Sequence, residues 1–444
     1  MRDDISAARL AGAGLGLGGL AALNLALVRM GVDLGTGRLL GLSLFQPELP
    51  GTGLLFLPAF GLLLFVGLDR RKERGPFGCW LLGLGLILAG NLLQGDPDVA
   101  FYQPLYRGGK QYYHDALWIE HARVWLESFG AIQADLGTHA RTHPGFATLI
   151  HRALAALGGE AALGVTAAAF ALIGSLSVPI LWRALAEVGA PRAVCARGSV
   201  LASVLPAVNI YTAVSLDAVL LTCAALAALA LVRIVRDGPR WGSTALLGLA
   251  TAGANALSFG GSFLLILAAL LAAHEAITTG RRRVGIALGI VVAAGVVLWL
   301  ALASALGYDH LGALLTASRL ENPEGFRGRA EPLRYLATRI EGGVEVLVFA
   351  SLPVALLWLG RLRQPAGAWP ERVVSALPAC AALSFGALLA SGAYQTGETA
   401  RAALFVYPFG VIALARVDPA TLRRASMLCG AQTAAMQLAG SYFW

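Results

Sequence analysis

The chain is predicted to be an all-α, polytopic transmembrane helical bundle. Three observations lead there. The 444 residues are 57% hydrophobic and only 14% charged, the mean hydropathy is +0.68, and apolar runs of span length recur from end to end. A soluble domain with this composition would expose far too much apolar surface, whereas a bilayer accepts it. The formal charge of +8 sits in short arginine bursts between apolar runs, which makes it a topology signal and excludes nucleic acid as its reason.

Apolar runs long enough to cross about 30 Å of hydrocarbon number roughly thirteen. They are 8–30, 52–68, 77–94, 160–182, 198–214, 218–234, 242–258, 262–278, 284–306, 342–360, 373–392, 402–415 and 425–443. Pro206, Pro353, Pro378 and Pro408 interrupt several of them. The first run lacks a small-residue cleavage site followed by a polar region, so it reads as a retained span. Cys79, Cys195, Cys223, Cys380 and Cys429 lie singly in or beside apolar runs, as reduced packing residues do.

The connections alternate. Arg70-Arg71-Lys72 with Arg74, Arg183/Arg192/Arg197, Arg233/Arg236/Arg240, Arg281-Arg282-Arg283, Arg361/Arg363/Arg372 and Arg416/Arg423/Arg424 fall on one side. The turns opposite, at Ser215-Leu216-Asp217 and Phe259-Gly260-Gly261, carry no Lys or Arg. The positive-inside rule then places the basic turns and the N-terminus in the cytoplasm and Trp444 outside. One transmembrane domain, 1–444, would carry two long extracytoplasmic loops, 95–159 and 307–341, the second a possible lid of mixed charge with Arg319, Glu321, Asn322, Glu324 and Arg327. No GxxxxGK[ST] occurs, and the Gly-rich stretch 12–19 lies inside a predicted span, so nothing points to a cytosolic nucleotide.

The polar island from Gly95 to Arg152 concentrates the titratable groups: Asp96, Asp98, His114, Asp115, Glu120, His121, His139 and His143. Ionisable groups gathered beside a membrane are the first place to look for chemistry. Apolar residues spaced three and four apart over 112–129 predict one amphipathic helix in the headgroup plane. Pro144 opens a second short helix over 146–150. Asn209, Tyr211, Asp217 and Asn255 are expected to face the bundle interior. His121, His139 and His143 lack the spacing of a zinc site.

The pattern resembles the GT-C superfamily of integral membrane glycosyltransferases, through Tyr112-Tyr113-His114-Asp115 in the first long loop, Thr142-His143-Pro144-Gly145 opening the next helix, and Leu205-Pro206-Ala207 leading to Ser215-Leu216-Asp217-Ala218. The resemblance covers about 95–280, the remainder following by layout. Gly145 departs from the second proline of many relatives, and three spans precede the loop where the superfamily usually has one. It implies a GT-C-like enzyme of the inverting type, in a membrane such as the prokaryotic plasma membrane with an outward active site. The partners implied are the bilayer, a polyprenyl-phosphate-linked sugar donor and a lipid or glycan acceptor.

Such transfer needs a base for the acceptor hydroxyl and positive charge, from side chains or a divalent cation, on the departing phosphate. No particular cofactor is implied. Asp115, Asp98 or Asp96 would be the base. Arg141, Arg401, His143 and Arg107 would meet the phosphate, and Glu398, Tyr113 and His114 complete the candidate set. Blander readings stand beside these: Asp96-Pro97-Asp98 is also the pattern of a turn and helix cap, Asp115 of a solvated helix position, His143 of an ordered turn, and Glu398/Arg401 of a helix-surface ion pair. Two alternatives stay open: a catalytically idle, GT-C-like lipid-handling membrane protein, and a secondary transporter, which would place interior polar groups at mid-span within repeated halves, although no such repeat is seen.

Overall fold

The computed structural model describes residues 6–32, 34, 46–47, 51–69, 73–107, 111–323, 325–362, 371–393 and 397–442. The predicted placements of Arg70-Arg71-Lys72, Glu324, Arg363, Tyr394-Gln395-Thr396 and Trp444 lie outside the described residues. The fold is all-α. The helices run α1 (Ala7–Arg29), α2 (Leu57–Gly67), α3 (Pro76–Asn91), α4 (Gln103–Tyr106), α5 (Tyr112–Leu117), α6 (Ala122–Ile132), α7 (Thr138–Arg141) and α8 (Gly145–Gly158). There follow α9 (Ala162–Ser175), α10 (Ser177–Glu187), α11 (Arg192–Val204), α12 (Pro206–Tyr211), α13 (Asp217–Asp237), α14 (Trp241–Leu257), α15 (Ser262–Thr279) and α16 (Arg283–Leu306). The last third holds α17 (His310–Glu321), α18 (Arg327–Ala330), α19 (Pro332–Phe349), α20 (Leu352–Leu362), α21 (Glu371–Ala390), α22 (Thr399–Ala402), α23 (Tyr407–Ala413) and α24 (Pro419–Ala439). Gln46–Pro47 and Gly440–Ser441 meet in a two-residue antiparallel bridge.

Each of the thirteen apolar runs falls mainly on helix where it is described, yet the described residues contain six helical segments long and apolar enough to cross a membrane. They are Ala7–Arg29, Gly145–Glu187, Asp217–Asp237, Phe259–Thr279, Arg283–Leu306 and Glu371–Ala390. A seventh arises if α19 and α20, bent by 110° with Ser351 in the left-handed region at φ 71°, act together. The difference from thirteen has local causes. α12 restarts at Pro206 after extended Leu205, and Thr52–Gly67, Pro76–Asn91 and Leu404–Arg416 are short apolar helices. Gly145–Glu187 is not a single rod, because the rings of His151 and Phe170 are 5.1 Å apart where a straight helix would hold them about 30 Å apart. The chain reverses at Gly159, φ 53°.

α13 is the most enclosed of these segments, whereas α1 and α16 keep most of their apolar surface open, as helices facing hydrocarbon do. Inside, amides replace part of the greasy packing. Asn209 Nδ2 donates to the carbonyls of Leu86 and Ser203, Asn91 donates to the Asn209 carbonyl, and Gln437 donates to Asn209 Oδ1. Asn209 and Tyr211 are buried as expected, while Asn255, half-buried, bonds back to the Thr251 carbonyl of its own helix. The five cysteines are free and buried.

The basic turns assemble at one end. Glu187 holds Arg183, Arg233 and Arg236, Arg283 donates to the carbonyls of Val235 and Arg236, and Arg361 donates to that of Arg416. At the other end the predicted continuous helix over 112–129 is broken into α5 and α6. Trp118 and Glu120 stand exposed at the break, and His121 becomes the N-cap of α6. The helix opened by Pro144 is longer than the short one expected and runs Gly145–Gly158. Trp125, Phe129 and Tyr308 form a small separate core under α6, with Phe146 and Trp299 against it. Gly145 is its keystone. Its N–H donates to Tyr308 Oη at 3.2 Å, its carbonyl accepts from Trp125 Nε1 at 3.0 Å, and a Cβ there would lie 2.9 Å from Phe129 Cδ2.

Candidate functional site

At the end opposite the basic turns the helix termini enclose a cavity of about 330 Å³. It lies between the start of α13, the end of α14, the second half of α17, the end of α21 and α22. α5, α7 and the His-Pro turn before α8 form the remaining wall. Leu105, Leu216, Leu314, Leu320 and Leu388 make part of the lining apolar, and charged and neutral polar groups share the rest.

Arg401 is the central cation, its side chain only 12% exposed. Its Nε lies 3.8 Å from Asp217 Oδ2, and its Nη2 lies 3.7 Å from Glu398 Oε2. Burial would lower the guanidinium's pKa, but the charges of Glu398 and Asp217 outweigh burial and hold it above its usual value. The one-turn helix α22 that carries Arg401 is fixed from beneath, where buried Glu345 accepts the N–H of Ala400 at 3.1 Å. Asp217 opens α13 at the positive end of the helix dipole, and Ser215 Oγ donates to its Oδ2 at 2.7 Å.

His143 faces this pair across the cavity. Its Nδ1 lies 2.9 Å from the His139 carbonyl, which can only accept, so Nδ1 carries a proton and the neutral ring keeps its lone pair on Nε2. Burial drives its pKa below the ordinary 6.5, with Arg401 acting the same way and Asp217 opposing. Tyr112 locks the wall together, stacked on His151 at 4.9 Å and edge-on to His143 at 5.4 Å. Arg141 also lines the cavity; among the described residues it has no ion-pair partner, and its Nε is buried without a hydrogen bond. Glu321 on α17 completes the rim. Burial and the neighbouring Glu398 raise its pKa, and Arg327 opposes them.

Four residues selected from the sequence thus share one cavity: His143, Arg141, Arg401 and Glu398. The other six are not among its lining. Asp115 sits behind the wall, its two oxygens each 3.3 Å from the Gly137 N–H at the start of α7. Burial raises its pKa, against the Gly137 amide and His114. Asp96 Oδ1 accepts from the N–H groups of Asp98 and Val99, which is the cap geometry anticipated for Asp96-Pro97-Asp98. Asp98 Oδ2 accepts from Gln103 Nε2, whose own Oε1 accepts from Arg107. His114 Nε2 is 2.7 Å from the Tyr106 carbonyl, and Tyr113 is half-buried outside the lining. Sequence reasoning selected Tyr113, whereas Tyr112 lines the cavity, since successive helical positions lie on different faces. It placed Asp217 in the interior but not in the site, although a Ser-x-Asp start to an apolar helix could have marked it. Among the described residues no cluster of three or more His, Cys, Asp or Glu side chains is arranged to hold a metal ion.

Fold and cavity together define an all-α protein with membrane-length apolar helices and a charged, partly apolar cavity where its helices end. No protein family, curated protein or solved structure matches the chain.

Proposed function

We propose that this protein is an integral membrane glycosyltransferase, GT-C-like, which moves a sugar from a polyprenyl-phosphate carrier to a lipid or glycan acceptor outside the cytoplasm. One observation carries the reading: a cavity with apolar walls holds two guanidinium groups, Arg401 and Arg141, on the same lining as the carboxylate of Asp217 and the imidazole of His143. In this reading the apolar runs cross or re-enter the bilayer, the basic turns face the cytoplasm, and the cavity opens outward.

The chemistry follows from the groups present. The acceptor hydroxyl loses its proton to Asp217, and its oxygen bonds to the anomeric carbon. The bond from that carbon to the phosphate oxygen breaks, and the phosphate leaves with the electron pair. Arg141 and Arg401 meet the charge that develops there. The base therefore moves from Asp115, Asp98 or Asp96 to a group on the cavity wall. Asp115 keeps a supporting task, holding the amide that starts α7.

The test is transfer of labelled sugar from polyprenyl-phosphate hexose and pentose donors by the purified protein. Activity that disappears in Asp217→Asn and Arg401→Gln while surviving in Asp115→Asn is the expected result. Equal activity in all three variants would refute the site. A second reading, secondary transport, has its own observation: Glu341 and Glu345 are fully buried one turn apart on α19, next to the 110° bend, and buried carboxylates beside broken helices are the usual equipment of ion-coupled carriers. Sugar uptake into proteoliposomes driven by a proton gradient, with no transfer in solution, would favour it.

A further inference from the structure

The basic end of the bundle holds a second cavity, of about 120 Å³, between the last turns of α13 and α15 and the first turns of α21. Val235, Leu271, Val373 and Ala376 make its inner wall apolar, and the outer wall is cationic. Arg236 is engaged by Glu187 and Asp237, which it shares with Arg183, Arg233 and Arg240. Arg281 and Arg372 have no ion-pair partner among the described residues. The lining contains one carboxylate, Glu275, whose Oε2 accepts the N–H of Val284 at 2.9 Å and so caps the start of α16. His274 adds a buried ring nitrogen, Nε2, without a hydrogen-bond partner. Arg281 and Arg372 against the single carboxylate of Glu275 leave the lining cationic.

We propose that this cavity binds the phosphodiester headgroup of an anionic phospholipid from the leaflet at the basic end, with Arg281 and Arg372 on the phosphate. A phosphodiester is a monoanion whose free oxygens suit guanidinium donors. The apolar inner wall suits the ester-bearing part of a lipid. The outer surface gives the depth: Trp241, 85% exposed, and Ile277, 84% exposed, stand on α14 and α15 at this same end, and an exposed tryptophan beside basic residues marks the headgroup level. The inference is independent of the chemistry in the other cavity.

The full-length protein, exchanged into phosphatidylglycerol or phosphatidylcholine in detergent, is weighed intact by native mass spectrometry to count retained lipid. Phosphatidylglycerol should be retained in preference to phosphatidylcholine. The Arg281→Gln/Arg372→Gln double variant should bind it about tenfold or more weakly, the scale of losing charge-assisted hydrogen bonds. Arg281→Lys/Arg372→Lys should recover most of the retention, which separates charge from folding. Unchanged phosphatidylglycerol retention in the glutamine variant overturns the proposal. So does equal retention of phosphatidylcholine, or stabilisation by inorganic phosphate in a protein that retains no lipid.

Discussion

Asp217 and Arg401 act as a pair, and each restrains the other in the cavity. Asp217→Asn preserves the volume and can still accept from Ser215 Oγ, so the fold should persist while the carboxylate is lost. Transfer should fall roughly 10²-fold or more, the usual scale for loss of a general base. Asp115→Asn should stay within a few-fold of wild type in the same assay, because an amide oxygen still receives the Gly137 N–H. A large loss in Asp115→Asn alone would return the base to the first loop. His143 supplies a pH test. Its folded pKa is depressed from 6.5, so its contribution to stability is complete above pH 6.5 and is lost as pH falls through the lowered value. The thermal midpoint in detergent should therefore decline below pH 6.5, and His143→Gln should flatten that decline. An unchanged slope in the variant would remove His143 as its source.

Individual helices depend on a few close approaches. Gly145 starts α8 with its amide on Tyr308 and with no room before Phe129, so Gly145→Ala should destabilise by about 1–3 kcal/mol, the typical cost of overpacking. Gly145→Pro should do worse, since it deletes the donor to Tyr308 as well. Measured thermal midpoints in the order wild type, alanine, proline would support this, and an alanine variant as stable as wild type would contradict it. α5 and α6 show the limit of periodicity. The three-and-four spacing over 112–129 was legible, but the break at Trp118 and Glu120 was not. It arises because α6 docks on Tyr308 and Ala313, far along the chain.

The whole molecule is polar in the topological sense, with the short arginine turns at one end and the larger of the two cavities at the other. Because the native cysteines are buried, single cysteines introduced at exposed Arg282 and Leu333 give clean reporters. An impermeant maleimide applied to intact cells should label position 333 and spare position 282. Labelling at 282 would reverse the orientation and place the cavity in the cytoplasm, out of reach of an extracytoplasmic acceptor.

Composition and local spacing suffice for the class of structure, because apolar helices, proline breaks, arginine turns and the Asp96 cap are each set by residues within one or two turns of one another. That is why the apolar runs, the packing role of the cysteines and the segregation of the basic turns could be read from the residues alone. The site could not. Arg401, Asp217, His143 and Tyr112 lie on four separate segments, and their meeting depends on how α5, α8, α13 and α22 pack. The bend at Ser351 and the carboxylate of Glu345 beneath α22 are likewise results of packing. Local patterns specify which groups a helix carries. The distances between groups on different helices are set by the side chains that fill the space between them, and no periodicity in one segment encodes those.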